Sequence, residues 1–334
     1  MPLTTPIVFI IFNRPDTTSR VFAEIARAQP RQLLVIADGP RSADEVIKCE
    51  EAREIIQQVN WDCEVLTNFS DVNLGCKRRV SSGLDWVFEL CEEAIILEDD
   101  CLPHPTFFPY CEELLTKYRA DDRIMTINGN NFQVGQEKRE CSYYFSAFAH
   151  IWGWASWRRS WQHYDVTMSD WPEHRSRHWL ETVLGMEEAA NKWCRDYEET
   201  YSGQLDTWDC QWGYTILKRG GLCIAPNDNL ITNIGFGNGA THTKDANSTD
   251  ANLSAPGIAL PLRHPLSILR DDETDVRGLR RLIETHFISV PLTLPQRVKR
   301  KAKFLGGKMR DIYSEKLDQL SLGRLKSRRN IRLK

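Results

Sequence analysis

A chain of 334 residues, 41% hydrophobic and 27% charged, has the composition of an ordinary globular protein and the length for one large α/β domain, alone or with an appendage. No stretch has the apolar length of a transmembrane helix, and no basic-then-apolar leader opens the chain. Ten scattered cysteines without a CxxC pair argue against a zinc site or a disulfide framework and suit a reducing compartment, so the sequence reads as cytoplasmic. The net charge of −3 conceals an asymmetry: residues 295–334 carry fourteen Lys and Arg against three acids, and the rest of the chain is acidic.

In chain order, the apolar, β-branched run Ile7 to Phe12 predicts a buried strand, and Asn13-Arg14-Pro15-Asp16 turns it into a helix reaching about Ala28. Leu33 to Ala37 is the next strand, ending in Asp38-Gly39-Pro40-Arg41. Ser42 and Glu45 have capping-box spacing for a helix through Val59. Glu64 to Phe69 is a third strand, followed by Asn73-Leu74-Gly75 and a helix from about Cys76 to Cys91. The fourth, starting at Ala94, ends in three consecutive acids, Glu98, Asp99 and Asp100. This alternation predicts a doubly wound α/β fold with a mostly parallel central sheet flanked by helices.

A helix from Pro105 to Tyr118 and a strand from Ile124 to Ile127 come next, then a strand from Tyr143 to Phe148. In HIWGWASWRRSW, Trp152, Trp154, Trp157 and Trp161 fall near helical spacing, with core packing and stacking on a sugar ring as the two readings. Residues 165–201 look helical. A further helix opens around Leu205 to Trp212, with Asp206 as its N-cap and Asp209 in its first turn. A short strand, Leu222 to Ala225, precedes a loop, Pro226 to Lys244, with the glycine-rich GFGNGATHT. The organisation expected is a domain over 1–245, a linker over 246–270 and a basic helical extension over 271–334.

Three carboxylates at the carboxyl end of a buried parallel strand repel one another unless a cation sits there, and in open α/β sheets that end is where ligands bind. Arg14, Asp38 and Asn73 end neighbouring strands on the same side. Neither GxGxxG nor GxxxxGK[ST] is present, so phosphates would be held by a metal and Arg14 rather than by a glycine cradle.

The pieces IIFNRPD, IADGP, NLGCKRR, AIILEDDCLPHPTFFPYC, HIWGWASW and TWDCQWGY, in this order over residues 6–245, resemble glycosyltransferases of the A fold, in particular the N-acetylglucosaminyltransferase I group and bacterial enzymes akin to family 2. The resemblance implies a metal-dependent inverting transfer from a UDP-sugar, with N-acetylglucosamine one candidate sugar, to a hydroxyl of a glycan or lipid-linked acceptor. It also implies roles: Arg14 on the phosphates, Asp38 on the base, Glu98 on the donor sugar, Asp99 on the ribose, Asp100 on Mn²⁺ or Mg²⁺, and Asp209 as base. Asp206 stays an alternative base, because Cys210 follows Asp209 where the family's model member has a second aspartate. His242 falls where such enzymes place a diphosphate- or metal-facing histidine. Rival readings are a nucleotide-sugar-binding or carbohydrate-interaction protein without catalysis, and a nucleotidyltransferase. The basic C-terminal stretch suggests peripheral attachment to an anionic membrane at its cytoplasmic face; nucleic acid ranks below, for want of a recognition fold.

Overall fold

A computed structural model of the chain describes residues 2–133, 140–237, 248–251 and 253–288. By its internal contacts the chain divides into Met1–Arg281 and Leu282–Lys334, and the account below concerns the first unit. Five apolar residues, all buried, form β1 (Ile7–Ile11). Pro15 then fixes the first turn of α1 (Pro15–Ala28), which buries Thr18, Val21, Phe22 and Ile25 at helical spacing. The alternation continues through β2 (Gln32–Ala37), α2 (Val46–Glu54), β3 (Glu64–Phe69), α3 (Gly75–Leu90) and β4 (Glu93–Glu98). Beyond β4 come β5 (Cys101–Pro103), α4 (Phe107–Tyr118), β6 (Ile124–Asn128), β7 (Tyr143–Ser146), β8 (Trp154–Trp157) and the short α5 (Arg158–Trp161). Then follow α6 (Trp171–His174), α7 (Arg177–Leu184), α8 (Glu187–Tyr201), α9 (Asp209–Lys218), β9 (Leu222–Pro226), β10 (Ile231–Asn233) and α10 (Asp272–Ile288).

Eight strands form one sheet in the order β3-β2-β1-β4-β8-β6-β9-β7, and β10 pairs with β5 in a second, two-stranded one. The pairs β3–β2, β2–β1, β1–β4 and β6–β9 are parallel; β8 runs against β4 and β6, and β7 against β9. The expected mixed α/β architecture with a mostly parallel sheet is therefore present. Side chains alternate between its faces. Ile7, Phe9, Ile11, Val35 and Leu97 join the core under α1 and α4, whereas Val8, Ile10, Ile36 and Ile96 join the one under α3 and α9. Because β2 and β3 lie on one side of β1 and β4 on the other, the direction of winding reverses between β1 and β4. In open α/β sheets the ligand crevice lies at such a point, outside the strands' carboxyl ends.

Three local expectations need correcting. The helical spacing of the tryptophans is coincidental: Trp154–Trp157 is a fully buried antiparallel strand wedged between β4 and β6, and helix starts only at Arg158. The capping box does not form. Ser42 makes no side-chain cap, and Glu45 instead accepts from the Arg41 N–H at 2.9 Å and from Asn13 Nδ2 at 2.9 Å, because a neighbouring guanidinium and two N–H groups hold a carboxylate more firmly than one serine does. Asp206 does not cap α9, whose N-cap is Trp208. Farther along, Ile258 and Leu262 pack with the α1/α4 core.

Candidate functional site

Where the winding reverses, Arg14 follows β1 and the acid triplet ends β4. The Arg14 Nη2 donates to Asp99 Oδ1 at 2.8 Å and to Asp100 Oδ2 at 2.7 Å. Asp99 is buried and takes a second bond from the Phe12 N–H at 3.1 Å. Burial and the Asp100 charge push the Asp99 carboxyl up to about 6 against the opposing pull of Arg14. Glu98, in register with Ile10 of β1, is held well above the usual carboxylate range by burial, then by Asp100, Asp99 and Asp209, with only Arg14 opposing. Its Oε1 is buried without a hydrogen-bond partner. For Arg14, burial disfavours the charge, but Asp99 and Asp100 outweigh it and raise the guanidinium's value. Arg14, expected to face phosphates, is thus tied to the acids.

The strand pair β5–β10 closes one side of this cluster. The Ile234 N–H donates to the Asp100 carbonyl at 2.9 Å, and Arg14 Nη1 reaches the Gly235 carbonyl at 3.4 Å. A Cβ at Gly235 would lie 2.1 Å from Asp100 Oδ2 and 2.6 Å from Arg14 Nη1, so only glycine lets the backbone approach this closely. Gly235 opens the glycine-rich run GFGNGATHT, whose sequence alone does not single it out.

Asp38 and Asn73 are joined to each other. Asp38 Oδ1 accepts from the Gly39 and Leu74 N–H groups at 2.9 Å, and Oδ2 from Asn73 Nδ2 at 3.0 Å and the Gly75 N–H at 3.1 Å. Burial still leaves its carboxyl raised. With both oxygens engaged, Asp38 fixes the turn that leads into α3 rather than offering a free acceptor. Asp206 does similar work from outside: exposed, it accepts from the Cys76 N–H at 3.0 Å and the Lys77 N–H at 3.2 Å, capping α3 across the chain. Asp209, at the first position of α9, accepts from the Thr207 hydroxyl and lies near enough to Glu98 to raise it. Burial, then Asp209, pushes the neighbouring Cys210 up to about 12, so it stays a thiol. His242 lies outside the described residues.

Asp99 and Asp100 thus share one guanidinium, and Glu98, bordered by Asp209, lies beside them. Among the described residues no three His, Cys, Asp or Glu side chains form a ready-made metal cage. The hard oxygen donors, the excess of negative charge and the unpartnered Glu98 oxygen nonetheless fit a divalent cation of the kind held by one or two carboxylates plus substrate phosphates. The tryptophans belong elsewhere. Trp154 stacks on Trp208 at 5.6 Å and packs near Trp161 and Trp212, all buried under the sheet. Trp152 alone of the four predicted tryptophans is half-exposed.

Fold and crevice define a mixed α/β protein with a carboxylate-lined site at the point where its sheet reverses. No protein-family model matches the chain, and no curated protein sequence does. Among solved structures the chain is similar to UDP-glucose pyrophosphorylase complexed with UDP-glucose, at 11% identity and a TM-score of 0.25 over 44% of this chain, spanning 64% of that one. It is also similar to 4-diphosphocytidyl-2C-methyl-D-erythritolsynthase from Anaerococcus prevotii DSM 20548, at 10% identity and a TM-score of 0.29, covering 51% of this chain and 76% of that one. At these scores the chemistry has to be read from this chain's own residues.

Proposed function

We propose that the crevice binds a nucleoside diphosphate sugar, with uridine diphosphate as the carrier, and transfers the sugar to an acceptor hydroxyl with inversion. The observation that supports this best is the clustering of four acids, in which Asp99 and Asp100 pair with Arg14, Glu98 feels Asp100, Asp99 and Asp209, and one Glu98 oxygen is left buried and unpartnered. Asp100, with Glu98 beside it, would hold Mn²⁺ or Mg²⁺, which when bound neutralises charge on a departing diphosphate. Arg14 orients Asp99 and Asp100 and sits where phosphate oxygens would approach. Asp38 and Asn73 position the α3 turn on the base side. Asp209 accepts the proton of the attacking hydroxyl as that oxygen bonds to the anomeric carbon, the diphosphate leaving from the opposite face. His242 would serve as a diphosphate- or metal-facing group. The acceptor is a glycan or a lipid-linked glycan, with the basic C-terminal stretch holding the enzyme on an anionic membrane.

The test is thermal stabilisation of the full chain by UDP-, dTDP- and GDP-sugars with Mn²⁺ or with EDTA, followed by assay of the nucleotide product. Stabilisation by a UDP-sugar that needs the metal, with release of UDP, is the expected result. Equal stabilisation in EDTA would remove the metal from the reading. Pyrophosphate-dependent formation of UTP and sugar 1-phosphate would replace transfer to a hydroxyl with nucleotidyl transfer. Nucleotide-sugar binding with no turnover on any glycan acceptor would leave a binding protein.

A further inference from the structure

Beside the acids, three separate segments bring four aromatic rings together. The Phe132 ring meets Trp152 at 4.9 Å and His150 at 5.0 Å, and Trp152 meets Phe236 at 5.6 Å, all edge to face. Each of the four is half-buried, unlike the fully buried tryptophan cluster. The segment that carries His150 and Trp152 is tied to the end of β6: Gly129 N–H donates to the Gly153 carbonyl at 2.7 Å, His150 N–H to Asn128 Oδ1 at 3.1 Å, and Asn128 Nδ2 to the Phe148 carbonyl at 3.0 Å. Phe236 adjoins Gly235, which lies against Asp100 and Arg14. Asn130, only 1% exposed and two residues from Phe132, has both side-chain amide atoms without a partner, a costly state unless something completes it. Burial holds the His150 imidazole down to about 4, so this ring is neutral at ordinary pH.

The sheet order fixes what lies where. The Asp38–Asn73 turn sits at the β2–β3 ends, the acids at the β1–β4 ends, and the aromatic rim at the β4–β8–β6 ends, since Trp154 pairs with both Ile96 and Asn128. From these positions we infer that Phe132, His150, Trp152 and Phe236, with Asn130, form a subsite for a neutral pyranose ring of the acceptor. Aromatic faces cover the apolar C–H face of a sugar, and neutral amide and imidazole groups match its hydroxyls. The rim lies across the acids from the base-side turn, which separates acceptor from nucleotide.

This inference rests on the sugar-transfer reading, and saturation-transfer NMR on the full chain tests the two apart. The probes are methyl glycosides of glucose, galactose and N-acetylglucosamine, with uridine as the competing ring. The expected result is saturation of at least one pyranoside that falls about fivefold in Trp152→Ala and returns in Trp152→Phe, with the uridine signal unchanged. Phe236→Ala, on another segment, should show the same loss and serves if Trp152→Ala does not fold. Pyranoside contact that survives both substitutions overturns the subsite, as does its absence in the folded wild-type chain. Loss of the uridine signal instead would make the rim a base platform and also overturn it. Pyranoside binding through the rim in a chain that binds no nucleotide sugar would sink the transfer reading and leave the subsite standing.

Discussion

Asp206 and Asp209 stand three positions apart, yet their surroundings give them different work. Asp206 is exposed and spends its oxygens on the N–H groups of Cys76 and Lys77, whereas Asp209 borders Glu98 inside the acid cluster. Asp209→Asn should therefore lose roughly 10²–10⁴-fold in turnover with donor affinity retained. Asp206→Ala should keep most turnover and lose about 1 kcal/mol of stability through the uncapped α3. Steady-state kinetics with denaturant titration check both, and the reverse pattern would move the base to Asp206. The sequence favours Asp209 and leaves Asp206 as the alternative; the cap that separates their roles is not legible there, because it joins residues 130 positions apart. His150 gives a second prediction at this scale. Burial lowers its value from 6.5 to about 4, so the native state binds fewer protons than the unfolded chain between those values. Its contribution is fully present above 6.5 and is lost as pH falls toward 4, on the order of 2 kcal/mol for a half-buried ring. Urea unfolding of wild type and His150→Phe should show a flatter acid decline in the variant; parallel declines would mean that His150 charges freely in the native state.

Gly235 joins two elements, since it lets the chain leaving β10 lie directly on the carboxylate that follows β4. Gly235→Ala would drive a methyl group to 2.1 Å from Asp100 Oδ2 and disturb the Arg14 bridge with it. Overpacking of this kind typically costs about 1–3 kcal/mol. The expected outcome is a lower melting temperature and metal-dependent donor affinity weakened about tenfold; calorimetry that finds both unchanged would show that the approach is not needed. The parallel strands β1, β2 and β4 were legible because each is built on a continuous apolar run closed by a turn, and the position of the acid triplet followed from that. The antiparallel β8 was not, because four residues, WASW, are too few to separate a period of two from one of 3.6, and the tryptophans biased the reading toward helix. The rim was missed for another reason: Phe132, His150, Trp152 and Phe236 come from three segments and have no common spacing.

At the scale of the whole molecule the charge is divided. Residues 295–334, which lie outside the described residues, carry a net charge of +11 on a chain whose total is −3. Among the described residues no helix is long and apolar enough to cross a membrane, and the tail itself intersperses Val298, Phe304, Leu305, Met309, Ile312 and Tyr313 among Lys299, Arg300, Lys301, Lys303, Lys308 and Arg310. Such a mixture suits a segment lying in the interface of an anionic bilayer, where each basic residue near the surface contributes about 1 kcal/mol and the apolar side chains add burial. The competing account is that the tail neutralises the acidic body of its own chain. The two differ in salt response and in what truncation does. A membrane-binding tail predicts that the full chain co-sediments with vesicles containing phosphatidylserine at low salt, releases as screening increases, and loses binding when truncated after Pro291, with melting temperature unchanged. A tail that serves its own body predicts no sedimentation and a destabilised truncated protein. Binding that persists after truncation would place the membrane contact on the folded body and remove this role from the tail.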